Sequence, residues 1–227
     1  MDAAQQTFEV NCPEAVSRYS ARYYDPQAGR FLSEDPTGFN GDGTDFYSYV
    51  LNSPISLIDP LGLQHWGAPD YNPGLWNDPP GSIGSGPQLW NNCFSYAWNK
   101  VFPPQPGKQP RTPQPGDGTK KALNPYKKPT CKSVKEGAIA NGFKDLASEC
   151  GDCPPGYHKV RLYVGEHVHE PGGKDMGPDY HWYRLDSNGM WSSKHGQRPV
   201  GPQVSDPNGD AKSWGYDQSC GAMCAPN

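Results

Sequence analysis

This chain is short of charge, of long apolar runs and of any basic excess. Charged residues make up 19% of its 227 positions and the hydrophobic fraction is 34%. Material for one large core is missing, so a single compact domain of roughly 130 residues beside an extended, turn-rich part is expected. No apolar run approaches the ~20 residues needed to cross a bilayer, so no membrane span is expected. The first residues, MDAAQQTFEV, have neither the basic nor the apolar region of a secretory leader. No signal peptide is therefore expected, and export would fall to a dedicated machine. The net charge of −4 gives no overall footprint for nucleic acid, which makes that partner class unlooked-for. One local exception is the cluster Lys120, Lys121, Lys127, Lys128 and Lys132.

Turn formers are abundant instead. The chain holds 26 Pro and 27 Gly, about 23% together against a usual ~12%. Seven cysteines, an odd number, stand at Cys12, Cys93, Cys131, Cys150, Cys153, Cys220 and Cys224. One of them stays unpaired or pairs between chains.

From residue 21 to 63 aromatic runs (Tyr23-Tyr24, Phe31, Phe46-Tyr47, Tyr49) alternate with Asp-Pro, Ala-Gly and Asn-Gly turn signals, which reads as short hairpin strands. The segments RYYDPQAGRFLSEDP and PISLIDPLGL resemble the C-terminal end of the Rhs/YD-repeat core. The resemblance implies a chain of three parts: an Rhs core fragment over 1–63, a Pro/Gly-rich linker over 64–89 lying on a surface through Trp66 and Trp76, and a variable toxin domain over 90–227. It implies delivery to a target cell by a dedicated secretion system such as type VI. The implied partners are a cognate immunity protein, the Rhs shell and secretion machinery, and a target-cell protein or peptide substrate. Such cores cut themselves after their terminal Leu, here Leu63, with an acidic pair for which Asp59 matches the motif and Asp35 is the nearest partner. Two carboxylates sharing a proton suit that work, while turn chemistry explains the same Asp-Pro steps. Most of a shell is missing, so little or no cleavage is expected.

In the C-terminal part, LWNNCFSYAWNKVF (89–102) has helical spacing at Phe94, Ala97, Trp98 and Val101, with an Asn cap before Cys93. A second helical pattern covers 132–147 despite Gly137 and Gly142. From 157 the period changes to two: YHKVRLYVG is a strand, and DYHWYRL with MWSSKHG flanks the turn Asp186-Ser187-Asn188-Gly189. Helices first and an antiparallel sheet after make the fold class α+β.

Cys93 falls on a helix's first turn, where unpaired N–H groups and the dipole favour thiolate. His181 opens a later strand. This order resembles papain-like thiol hydrolases, which implies Cys93 as nucleophile and His181 as base. If the turn centres on 187–189, residues 194–196 lie opposite His181, so His195 is one candidate to orient its ring and Asp206 is the other, carried back by a strand over about 199–205. Gln88, Asn91 or Asn92 would assist the Cys93 N–H as oxyanion donors. The thiol reading needs no cofactor. The competing reading of Cys93 is a small buried hydrophobe. Cys150 and Cys153 with Cys220 and Cys224 have the ligand count of a structural zinc site, with His167 and His169 as substitutes, but disulfides are preferred, with Cys131 pairing Cys150 or Cys153. His167-x-His169 with Glu166 and Glu170 reads better as a polar strand end than as a metal site.

Three functional classes fit these residues. The first is a cysteine-dependent hydrolase toxin: protease, amidase, deamidase or acyl transferase. The second is a metal-dependent nuclease using these histidines, and the third is a binding module.

Overall fold

A computed structural model describes residues 68–227, except positions 83, 125, 147, 149, 150, 152, 155 and 171, together with Tyr24, Asp25, Arg30, Phe31, Glu34 and Tyr47. Asp35, Asp59, Leu63, Trp66, Cys12 and Cys150 lie outside the described residues. In the N-terminal part β1 (Tyr24–Asp25) pairs antiparallel with β2 (Arg30–Phe31).

The strand pattern from 157 onward folds as its alternation dictates. β4 (Tyr157–Gly165) and β5 (Asp179–Leu185) pair antiparallel, with Tyr163 opposite His181, and β6 (Trp191–Ser193) continues through the Asp186–Gly189 turn. β3 (Lys144–Asp145) and β7 (Gln218–Pro226) complete a sheet of order β3-β7-β4-β5-β6. Every pairing in it is antiparallel, so the domain is α+β. The strand expected over 199–205 is reduced to single bridges, Lys194 to Val200 and Trp191 to Val204.

Both helical segments stop earlier than their apolar spacing suggests. α1 covers Cys93–Ala97 only. Asn99 takes a left-handed φ of 56°, and the Lys100 N–H returns to the Ser95 carbonyl, which closes the C-terminus before Val101. α2 covers Cys131–Ala140 and begins with a Thr130–Ser133 capping box. Gly142, at φ 96°, turns the chain out of it. Gly137 is no interruption. A Cβ there would meet the Pro115 backbone at 2.7 Å, so the glycine lets the Pro-rich flap over 103–130 seat on the helix.

The pleat sorts side chains into two cores. Val160, Leu162, Val164, Tyr180 and Trp182 face Cys93, Phe94 and Ala97 of α1 and Val134 and Ala138 of α2. Tyr163, Tyr183, Leu185 and Trp191 face the other way, onto Tyr216 and onto Ala211 of α3 (Pro207–Ser213). The 68–90 segment is packed on the domain. Trp76 is buried edge-on against Tyr96 at 4.9 Å, and Arg184 reaches from β5 to the Asp70 carbonyl while pairing with buried Asp186.

Two disulfides converge on β7. Cys131 bonds Cys220 and Cys153 bonds Cys224. This replaces the expected Cys131 bridge to Cys150 or Cys153, and it consumes three of the four sulfurs proposed as zinc ligands. Spacing alone never specified the partners, because β7 was not legible as a strand.

Candidate functional site

Asn92 caps α1 with its side chain on the Ser95 N–H, and Ser95 returns a bond to the Asn92 N–H. The box sets Cys93 at the first helical position. It is the free cysteine among the described residues and is 5% exposed. Its Sγ lies 3.9 Å from the Tyr180 carbonyl oxygen. Burial and the nearby Asp179 carboxylate push the thiol far up, against the weaker pull of the Trp182 backbone and Lys194. The resting group is therefore a neutral thiol, and the helix terminus does not by itself overcome desolvation.

His181 is 1% exposed. Its ring projects from the opposite face of β5 and stacks on His195 at 3.9 Å between centroids and 13° between planes. The same pile continues to Trp214, 3.8 Å from His195, and to Tyr216, 5.1 Å from His181. His181 Nε2 is buried with no hydrogen-bond partner among the described residues. Burial and then the His195 neighbour hold His181 well below the usual imidazole range, and burial lowers His195 to about 4.

The thiol thus touches the backbone beside His181 while the imidazole leaves on the other face. No hydrogen bond joins Cys93 Sγ to either ring among the described residues. His195 is a stacking neighbour of His181. Asp206 has another partner: its carboxylate accepts from the Asn208 and Gly209 N–H groups and caps α3, and the expected returning strand over 199–205 is only two single bridges.

Three amides expected near an oxyanion are engaged in holding loops. Asn92 Nδ2 donates to the Pro113 carbonyl, Asn91 Nδ2 to Pro87 and Phe102, and Gln88 Nε2 to Gln197. The Cys93 backbone N–H, at the first helical position, has no intrahelical acceptor. His167 pairs with Asp175 at 2.7 Å on the surface, and His169 Nδ1 contacts the Glu170 carbonyl. Among the described residues no three His, Cys, Asp or Glu converge as a metal set.

Lys194, a residue no sequence signal marked, organises the site. It is fully buried, and Nζ lies 2.7–2.9 Å from the carbonyl oxygens of Gln88, Asn91, Gly196 and Arg198, which share its three N–H donors. One ammonium ties the approach to Cys93 to the loop carrying His195. Burial lowers it to about 8. Lys194→Met leaves four carbonyls without their donor, and we expect a loss of about 3 kcal/mol in urea unfolding; a change within ~0.5 kcal/mol would show that water replaces the ammonium.

Three histidines held below the usual imidazole range, buried His158 and His181 and half-buried His195, make acid destabilising. His158, whose Nε2 lies 2.7 Å from the Ala97 carbonyl, is also lowered by burial. All three have folded pKa values below an unfolded value of about 6.5, so the unfolded chain takes protons first. Stability is full above about pH 6.5 and falls as pH drops toward the folded values, near 4 for His195. Urea midpoints taken at neutral and mildly acid pH should fall with acid, and His195→Gln should flatten that slope. An unchanged slope in the variant would remove His195 from the account.

No protein-family model matches the chain, and no solved structure matches it. Over 42 residues it is 52% identical to toxin protein Tse5 of Pseudomonas aeruginosa, covering 18% of this chain and 3% of that one. Over 42 residues it is 50% identical to double-stranded DNA deaminase toxin A of Burkholderia cenocepacia, again 18% and 3%. Probable deoxyribonuclease RhsB of Dickeya dadantii is 52% identical over 42 residues, with the same 18% and 3%. The chain therefore spans a small fraction of these relatives' length. They are named for toxins and for an Rhs nuclease, in agreement with the Rhs resemblance of residues 21–63. Their names cover different chemistries, so the match names no reaction for this chain.

Proposed function

We propose that this chain is an Rhs-type toxin whose domain over about 68–227 is a thiol-dependent hydrolase acting on an acyl bond in a target-cell polypeptide. One observation carries the reading: a free thiol at a capped helix start touches the Tyr180 carbonyl, one residue before a buried imidazole whose Nε2 has no partner among the described residues. Cys93 Sγ is the nucleophile. His181 takes the thiol proton as the C–S bond forms and returns it to the leaving amine, and water then releases the acid by the same route. The Cys93 N–H faces the oxyanion. The resting structure keeps thiol and imidazole neutral and apart, so the reading requires the Tyr180–Trp182 backbone to shift and let the His181 ring reach the sulfur. Two disulfides suit action in an oxidising compartment such as a periplasm. An immunity protein and an Rhs shell are the partners this reading brings.

The test is growth. The full chain carrying an added export signal should arrest a susceptible bacterium, and purified chain incubated with periplasmic extract should generate new amine or carboxyl ends. Growth equal to the empty vector from both exported and cytosolic chain would reject the toxin reading.

A further inference from the structure

The segment from Lys100 to Lys135 holds nine basic residues and one acidic residue, Asp117, within a chain of 20 basic and 24 acidic residues. The rest of residues 68–227 holds eight basic and fourteen acidic residues, so positive charge is concentrated in this segment. The flap that carries it is fixed. Leu123 N–H bonds the Pro115 carbonyl, Asn92 holds Pro113 from the α1 cap, and Tyr180 Oη donates to Gln114 Oε1 at 2.7 Å.

Two open grooves flank the ridge at Leu123–Lys128. One, of about 720 Å³, runs between Arg111, Lys127 and Lys128 and the Asp179–Tyr180 start of β5. The other, of about 400 Å³, is lined by Lys120, Lys121, Lys127 and Lys128. Tyr126 stands 96% exposed at the crest. Lys121 and Lys128 meet Glu136 and Glu166 in surface pairs, which are weak. No acid pairs with Lys120, Lys127 or Lys132 among the described residues.

We propose that the larger groove and its basic rim bind an acidic polypeptide segment and lead it to Cys93. Tyr180 both lines this groove and presents its carbonyl to the thiol. The floor argues against a phosphodiester chain. Asp179 and Asp117, the latter paired with Arg111 at 3.1 Å, line it, so a ligand charged at every unit cannot avoid a carboxylate, whereas one with spaced charges can. A polypeptide presents backbone N–H groups to those carboxylates and to Gln114 and Gln197, and its Glu or Asp side chains to the lysines. The proposal deepens the thiol-hydrolase reading by naming its substrate class, and rests on it for the chemistry after binding.

The experiment is fluorescence anisotropy of the full chain with a short labelled peptide of alternating Glu and Ala, its Lys-Ala counterpart, and a single-stranded oligonucleotide of equal charge. The acidic peptide should bind, and its affinity should fall at least ~10-fold as salt shortens the Debye length from about 10 Å to about 3 Å. Lys127→Glu/Lys128→Glu should weaken it at least ~10-fold, with unchanged melting. The double Gln variant should lie between, which covers misfolding of the reversed one. Acidic peptide bound no better than basic peptide, or oligonucleotide bound as tightly, overturns the proposal. Cys93→Ser should bind normally. If that variant binds yet remains fully toxic, the thiol reading fails and the groove assignment stands.

Discussion

Cys93→Ser is expected to abolish toxicity of the exported chain while leaving its melting temperature close to that of the parent. The side chain is 5% exposed, packed in the α1 core and 3.9 Å from the Tyr180 carbonyl oxygen, and serine differs from it by one atom of similar size. Chemistry is different. Burial already raises the thiol far above its ordinary range, so no thiolate waits in the resting protein, and ionisation depends on a base arriving. Serine is harder still to ionise. His181→Ala should therefore match the cysteine variant, with a loss of ~10²–10⁴ in rate, the span positioned acid–base groups supply. His195→Ala should cost less, because His195 presses on the ring at 3.9 Å without a hydrogen bond to it. Asp206→Ala should lower stability by about 1 kcal/mol through the lost α3 cap and leave toxicity intact. Rate and melting curves together separate these roles. Full toxicity from Cys93→Ser, with loss from His167→Ala or His181→Ala, would falsify the thiol mechanism in favour of a metal nuclease.

Reduction of the disulfides should give the largest stability loss. The bridges span 89 and 71 residues, and cross-links of that reach restrict the unfolded chain by about 4–5 kcal/mol each in the loop-entropy treatment. Their loops interlock, so the two contributions do not add. Both end on β7, the last strand in the chain, which lies between β3 and β4. Without them that strand must find its slot unaided. A loss of about 4 kcal/mol lowers the melting temperature of a domain of this size by roughly 8–16 °C. Cys131→Ala/Cys220→Ala should account for most of it. A melt unchanged by reductant, with thiol titration showing the bridges open, would mean that packing alone holds β7.

Local signals were legible because each is written within a few residues. Alternation marks β4 to its ends, the Asp186–Gly189 turn sets the β5–β6 register, and Asn92 caps α1. That register also puts His195 opposite His181, since cross-strand partners are counted outward from the turn centre. Other features depend on distant packing. Alternation says that Tyr180 and His181 face opposite ways, but which face receives α1 is decided by Trp182 and Leu162 packing on Phe94 and Ala97. That choice puts Cys93 on one side of β5 and the His181 ring on the other. β7, QSCGAMCAP, has small residues and little strand propensity. It is a strand because β3 and β4 supply both its ladders, and only then do Cys220 and Cys224 meet Cys131 and Cys153. Lys194 reads as a polar strand end in the sequence. Burial among four carbonyls from two segments makes it a clamp, and no local pattern in the sequence brings 88 and 91 to the 196–198 loop.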